Sequence, residues 1–411
     1  MKKIGNFIMD KPIAAIELGS KKLKLVVGYE IDGQIYVLYT LTKPYGNAIE
    51  AGNFLDANKV SETISSIREF TDPSAKLRLN ISDVLLCLPP YSLGIYQTRQ
   101  VTTVVTEDSK ISQLDIKNIY ALIRNSAYPL NDKTLVDVVP ESFTLDQGRI
   151  FARPPMGESS STLTVSAKVQ TLPKVLVENY QNVLMSGGMI SRRNVISSLG
   201  ATELINSYEG MPKNYILVDI GSNVTTVSFI GNGALYGSTY FNWGGDNITE
   251  RIIERFNINE ADAEKYKIMY GIDYRQMNFK APICTTEDGS GQVIHHYNDE
   301  LNEIIKGELE IFVKELNEAV DAVVAQHDKS YRNFPMLLIG GGAELNGLTQ
   351  YITPKVLSET VQVVRPKTLG ARNATFFNCL GAILTYSKYP NLNDESHPRV
   401  GVLSRNQTNN K

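Results

Sequence analysis

The sequence is short of the residues that would reveal several functions at once. Its 411 residues include three cysteines, four histidines and one tryptophan. Cys87, Cys284 and Cys379 are odd in number and lack paired spacing, which leaves no disulfide framework. Cys87 and Cys379 lie in apolar runs and read as reduced core residues. His295 and His296 are adjacent, so on a strand they point apart, and nothing nearby completes a metal set. An excess of one charge is also missing. Lys and Arg number 41 against 44 Asp and Glu, a net charge of −3, and there is no basic or aromatic cluster, which excludes a nucleic-acid footprint. No apolar run approaches the ~20 residues that span a bilayer, and the N-terminus has no signal-peptide core, so a cytoplasmic protein is expected. No Ser/His/Asp arrangement or supported carboxylate pair occurs, so no catalytic residue is assigned. What remains, 42% hydrophobic and 21% charged, is an ordinary globular composition, long enough for two lobes that each bury a core.

One short pattern is present twice, about half the chain apart. Ile13-Ala14-Ala15-Ile16-Glu17-Leu18-Gly19-Ser20 is an apolar run, then an acid, one residue, Gly and Ser. Tyr215-Ile216-Leu217-Val218-Asp219-Ile220-Gly221-Ser222 repeats it. Each copy continues into an apolar or β-branched stretch, Leu23 to Val27 and Val224 to Ile230, meets a glycine turn and resumes at Ile35-Tyr36 or Leu235-Tyr236. This predicts a β-hairpin with an acid and a glycine at its tip in each half. Two such tips facing across a cleft can hold a phosphate tail and its magnesium. Gly19 and Gly221 let the main chain approach, Ser20 and Ser222 add hydroxyls, and Glu17 and Asp219 offer the one or two carboxylates that Mg²⁺ takes, through water. A third element is the strand Met336 to Ile339, which runs into Gly340-Gly341-Gly342. The triplet suits close backbone contact with a ribose or phosphate, or a tight strand-to-helix turn.

In this order the hairpins and the triplet resemble the actin/Hsp70/sugar-kinase superfamily, and within it the FtsA family of bacterial cell-division proteins. The resemblance spans roughly residues 12–386. It is carried by where the insertions fall. Only a short stretch separates the strand ending near Leu41 from an amphipathic helix expected at 56–71, where actin, MreB and Hsp70 carry an extra subdomain. The spare residues instead follow Val84-Leu85-Leu86-Cys87-Leu88, as the relocated subdomain 1C does in FtsA. The resemblance implies an α/β, actin-like (ribonuclease H-like) two-lobed ATPase fold. Its parts would be an N-terminal extension at 1–11, subdomain 1A at 12–88 and 170–210, and an SHS2-like 1C at 89–169. Subdomain 2A would cover 211–248 and 328–386, 2B would cover 249–327, and 387–411 would be a disordered tail.

The resemblance also implies ATP and Mg²⁺ as cofactors. Lys24 matches a phosphate-contacting lysine, with Lys21, Asn223 and Thr225 near the same tips. Trp243-Gly244-Gly245-Asp246-Asn247-Ile248-Thr249 resembles a glycine turn opening a helix, capped by Thr249 or Asp246, with its N-terminus toward an anion. Ala263-Glu264-Lys265-Tyr266-Lys267, followed by Gly271, resembles the segment whose acid and base, here Glu264 and Lys267, flank ribose and adenine. Val364-Arg365-Pro366 and Asn378-Cys379-Leu380-Gly381-Ala382 match the closing stretch and the last cleft helix. Glu17 stands where most of the superfamily has Asp. The extra methylene shifts the carboxylate by roughly an ångström and favours slow or absent hydrolysis, so whether the chain is an ATPase stays open.

Implied partners are further copies of the chain in filaments, other division proteins through 1C, and the C-terminal tail of the tubulin homologue FtsZ on the helix Asp299 to Leu316. On that helix Glu308 replaces the usual Arg, and a carboxylate cannot pair with an acidic tail, which leaves Lys306 and Lys314. The polar end of the chain has no apolar face where FtsA usually carries a membrane-binding helix. At the other end Lys2, Lys3, Ile4, Phe7, Ile8 and Met9 place apolar residues at helical spacing behind two lysines. That reads either as a peripheral membrane contact or as a flexible lead into the first strand. The expected protein is an ATP-binding, polymerising adaptor that links the FtsZ ring to the inner face of the membrane at midcell and recruits the division machinery. The rival is an FtsA-like ATPase adaptor, such as a pilus-assembly protein, that does not act with FtsZ.

Overall fold

The computed structural model describes residues 12–72, 77–273, 280–287, 290–324, 334–389 and 400–402. The N-terminal extension with its Lys2 to Met9 pattern, and most of the C-terminal tail, lie outside the described residues.

Both repeated patterns fold into hairpins, and each lobe is built outward from its own. In the first lobe Ile13–Leu18 pairs antiparallel with Lys22–Ile31, which pairs antiparallel with Gln34–Pro44. On its other side Ile13–Leu18 takes Asp83–Leu88 in parallel, and that strand takes Ile190–Ile196 in parallel. The second lobe repeats the plan. Tyr215–Ile220 pairs with Thr225–Gly231, then comes Ala234–Phe241, and Met336–Ile339 and Val361–Val363 follow in parallel on the other side. Two five-stranded sheets with the same order and directions make the ribonuclease H-like, actin-like two-lobed α/β fold. The inner parallel strands are apolar on both faces because both are covered: Val84, Leu85 and Leu86, like Met336, Leu337 and Leu338, are fully buried.

Between Asp83–Leu88 and Ile190–Ile196 the chain leaves the sheet and forms a unit with its own core. Its strands run in the order Ile150–Phe151, Lys133–Leu145, Thr162–Pro173, Gly94–Thr103. The helix Gln113–Asn125 packs Ile116, Ile119 and Ile123 into the same core as Phe143 and Val165. Ser112 starts that helix, its N–H and hydroxyl donating to the Asp115 carboxylate at 2.8 and 2.6 Å. A buried Arg193–Asp137 ion pair at 2.6 Å ties the unit to the first lobe. The helices Ser197–Asn206 and Phe377–Lys388 cross where both lobes meet. Glycine is needed there, since a Cβ on Gly381 would lie 2.3 Å from the Gly200 carbonyl.

Two local expectations change. The helix expected at 56–71 is only Ala57–Ser65, N-capped by Asp56, and the chain turns into the strand Glu69–Asp72. Ile67 is still buried after the turn, so the apolar spacing outlasts the helix. The tail is not structureless throughout: Val400–Val402 adds an antiparallel strand to Leu77–Ile81. Among the described residues no helix is long and apolar enough to cross a membrane.

Candidate functional site

The two hairpin tips face each other across a cleft. Strand register decides which side chains reach it. Glu17 lies opposite Lys24 in the first hairpin, and Asp219 lies opposite Thr226 in the second, and all four line the cleft. Lys24 Nζ donates to Glu17 Oε1 at 2.8 Å, the side chains only 17% and 15% exposed. Burial opposes the Lys24 charge, but the charge and hydrogen bond of Glu17 outweigh it and hold the ammonium above the usual lysine range. From the helix Phe377–Lys388, which packs on the first lobe's sheet, Asn378 Nδ2 reaches the second lobe and donates to Asp219 Oδ2 at 3.0 Å. Burial, then the charge of Glu17, push the Asp219 carboxyl above the usual carboxylate range, and Asn378 and Lys24 offset only part of that.

These groups fit a magnesium–phosphate ligand. Glu17 Oε2 and Asn378 Oδ1 are buried without a hydrogen-bond partner, and the charge of Glu17 disfavours that of Asp219. Among the described residues no group of three or more His, Cys, Asp or Glu could hold a metal by itself. Mg²⁺ suits such a place because it keeps waters and phosphate oxygens and needs few carboxylates. The wall is shaped by backbone. Gly340 has φ +86°, and a Cβ there would sit 2.4 Å from Asp219 Oδ1. The first tip is braced from behind: Tyr45 N donates to the Lys21 carbonyl at 2.9 Å, Ile49 N donates to the Ser20 carbonyl at 3.2 Å, and the Tyr45 hydroxyl donates to the Gly19 carbonyl.

Lys21 reaches across to the second lobe. Its Nζ lies 2.6 Å from Asp246 Oδ2 and 2.7 Å from Glu260 Oε1. Burial acts against the Lys21 charge, but the bonds to Asp246 and Glu260 outweigh it and raise its pKa. The first hairpin tip is thereby pinned to the opening turns of two helices, Gly245–Phe256 and Glu260–Tyr270.

The cleft brings together Glu17, Gly19, Ser20, Lys21, Lys24, Asp219, Gly221, Ser222, Gly340 and Gly341. Other expected residues serve elsewhere. Thr225 is buried and donates to the Trp243 carbonyl at 2.8 Å, and Thr226, one position on, faces the cleft instead. Gly342 is a packing glycine, since a Cβ would meet the Ile220 side chain at 2.3 Å. Asn223 and Gly244 do not line the cleft. A Cβ on Gly244 would lie 2.2 Å from the Ser222 carbonyl, so that glycine seats the helix on the second tip. The helix is capped neither by Thr249 nor by Asp246. Asn247 accepts from Gly244 N at 2.9 Å, and Gly245 N and Asp246 N donate to the Gly221 and Ser222 carbonyls rather than pointing free at an anion. Glu264 and Lys267 pair with each other at 2.5 Å and share Thr249, outside the cleft lining. Glu308 is buried and accepts from Arg251 Nε at 2.9 Å, a paired carboxylate rather than a docking charge.

Residues missed from the sequence include Thr226, Tyr91 and Tyr180, and Asn378, named there only as part of the last cleft helix, joins them in lining the cleft. For Asn378 a signal was present, a lone amide in the apolar run Phe376-Phe377-Asn378-Cys379-Leu380. Tyr91 and Tyr180 come from distant segments, and nothing local marks them.

The chain is similar to known proteins in sequence and in fold. The model of the family "Cell division protein FtsA" matches residues 216–381. The cell division protein FtsA of Enterococcus faecalis is 25% identical over 387 residues, which cover 93% of this chain and 84% of that relative. Among solved structures, the PilM–PilN type IV pilus biogenesis complex is similar with a TM-score of 0.57 at 16% identity, over 90% of this chain and 97% of that one. MreB5 of Spiroplasma citri bound to AMPPNP is similar with a TM-score of 0.55 at 12% identity, over 92% and 96%. At such identities the two structures speak for the actin-like fold alone.

Proposed function

We propose that this divergent relative of the FtsA cell-division proteins binds ATP with Mg²⁺ between its hairpin tips and assembles with further copies of itself at the division site. The observation that carries the reading is the enclosed Glu17–Lys24 pair facing Asp219 across one cleft built by two equivalent hairpins, with Asn378 reaching over to hold Asp219. Bound ATP and Mg²⁺ would supply the phosphate oxygens and the divalent charge that these groups lack. Lys24 holds a positive charge at the cleft floor, Asn378 orients Asp219, and the Ser20 and Ser222 hydroxyls offer donors at the tips. Neither carboxylate is poised as an isolated base: one is tied to a lysine and the other to an amide. That favours a nucleotide that acts as a conformational ligand, with weak or absent hydrolysis.

A ligand gripped by both hairpins favours closed lobes over open ones in proportion to its differential affinity. Filament growth needs a heterologous interface, to which the inserted 89–169 unit would contribute one side. In this reading the same unit recruits division partners, and the protein links an FtsZ ring to the inner face of the membrane, with Lys2 to Met9 as the peripheral contact. On the helix Asn298–Val324, Lys306 and Lys314 are the cations an acidic FtsZ tail would meet. Relatives similar in sequence are named as cell division proteins, which favours this reading over pilus assembly.

The test is pelleting of the full-length protein with ATP, with and without Mg²⁺ and anionic lipid vesicles. Sedimentation that requires ATP and Mg²⁺ is the expected result, and vesicles should increase it. A protein that ignores ATP, or binds it and stays monomeric with and without lipid, would overturn the adaptor reading.

A further inference from the structure

Among the described residues three cations line the cleft, Lys21, Lys22 and Lys24, and two of them are already engaged. Lys24 is paired with Glu17 at 2.8 Å. Lys21 is paired with Asp246 at 2.6 Å and with Glu260 at 2.7 Å. An anion drawing on either would compete with a carboxylate already in contact with it. Lys22 is different: among the described residues its ammonium has no hydrogen bond and no ion pair.

The hairpin explains where that ammonium sits. Gly19 N donates to the Lys22 carbonyl at 3.2 Å, which closes the first tip and makes Lys22 the opening residue of its strand. Side chains alternate along a strand, so Lys22 shares a face with Lys24 and lies about 7 Å nearer the tip, with buried Leu23 turned to the other side. The second hairpin has Val224 at the matching position, its carbonyl accepting from Gly221 N at 3.0 Å. The unengaged charge therefore comes from one lobe only. It is felt on the other: burial works against the Glu264 charge, but Lys267, then Thr249 and Lys22, hold that carboxyl below its usual range. Glu264 does not tie Lys22 down, because Lys267 already pairs with it at 2.5 Å.

We infer that Lys22, rather than Lys21 or Lys24, is the lysine that contacts the phosphate chain of the bound nucleotide. The inference rests on the reading of this cleft as a nucleotide site and divides the labour among its three lysines. Lys24 fixes Glu17, Lys21 joins the first tip to the second lobe, and Lys22 meets the ligand. A triphosphate stays anionic after it has taken Mg²⁺, and Lys22 supplies a cation that can answer it without first breaking an ion pair.

Full-length wild type, Lys22→Met and Lys22→Arg would each be titrated with a fluorescent ATP analogue and Mg²⁺ at low and high salt. Lys22→Met should lower affinity by about ten- to hundredfold, the range of one hydrogen bond to a charged group. It should also flatten the salt dependence, and Lys22→Arg should recover most of the loss. Because Lys22 leaves no partner behind, the three thermal melts should coincide. Acetylation of wild-type lysines, read by mass spectrometry, gives a view that needs no variant. Lys22 should react in the empty protein and be shielded by Mg²⁺–ATP, while enclosed Lys24 reacts slowly in both. A wild type that does not bind the analogue overturns the nucleotide reading itself. Wild-type binding with an unchanged Lys22→Met affinity, an arginine variant as weak as the methionine one, or Lys22 labelled equally with and without nucleotide overturns this assignment alone.

Discussion

Replacing Glu17 by Gln keeps the side chain's shape and removes the charge on which Lys24 depends. Lys24 Nζ sits 2.8 Å from Glu17 Oε1, with both side chains largely enclosed. Removing one partner of a buried ion pair costs about 3–5 kcal/mol. The residual exposure and the Asp219 charge beyond it place this pair at the lower end, about 3 kcal/mol. Domains are typically stable by about 5–15 kcal/mol, so this loss is large. With a urea slope of about 3 kcal/mol per molar, the unfolding midpoint of Glu17→Gln should fall by about 1 M. The pH dependence supplies a second readout. The folded pKa of Lys24 is raised, so its contribution is fully present below the unfolded value near 10.4 and is lost as pH rises through the folded one. In the variant burial is no longer outweighed, and its penalty fades once Lys24 loses its proton. The gap between the two proteins should therefore narrow above about pH 10. Circular dichroism during urea titration at several pH values measures both. A midpoint unchanged within error, or a gap that widens in alkali, refutes the buried pair.

Two further outcomes follow from the cleft. Asp219→Ala should abolish the Mg²⁺-dependent part of ATP affinity, read by titrating a fluorescent ATP analogue with Mg²⁺ or with a chelator; unchanged affinity would sink the two-hairpin site. Because burial and Glu17 raise the Asp219 pKa, wild-type Mg²⁺-dependent affinity should decline on acidification at a higher pH than a surface carboxylate with pKa about 3.9 would produce. Lys21→Ala removes both cross-cleft ion pairs, of which the enclosed one to Asp246 is worth about 1 kcal/mol and the one to 65%-exposed Glu260 little. The open fraction of the free protein should rise about fivefold, seen as a longer distance between spin labels on the two lobes; an unchanged distance distribution would mean the latch does not hold them.

The hairpins are legible in the sequence because their physics is local: an apolar run, an acid and a glycine tip within a few residues. What is not local is lost. The parallel partners Asp83–Leu88 and Met336–Ile339 read as buried strands, but nothing in them says which strand they join. Thr225 and Thr226 cannot be told apart by composition, and a one-residue step turns one to the Trp243 carbonyl and the other to the cleft. The helix opening at Gly245 looks like an anion site until the second hairpin tip takes its first N–H groups. The largest gap concerns symmetry. The repeat shows an acid in each half, which invites reading Glu17 and Asp219 as equivalent. Register then gives Glu17 a lysine across its own hairpin and gives Asp219 a threonine, so the second acid draws its partner, Asn378, from a helix some distance along the chain. One acid is paired with a lysine inside its own repeat, and the other is hydrogen-bonded by an amide with its pKa raised. The duplicated frame is symmetric but its chemistry is not, and a divalent cation would therefore draw mainly on Asp219 while Lys24 keeps Glu17 in place.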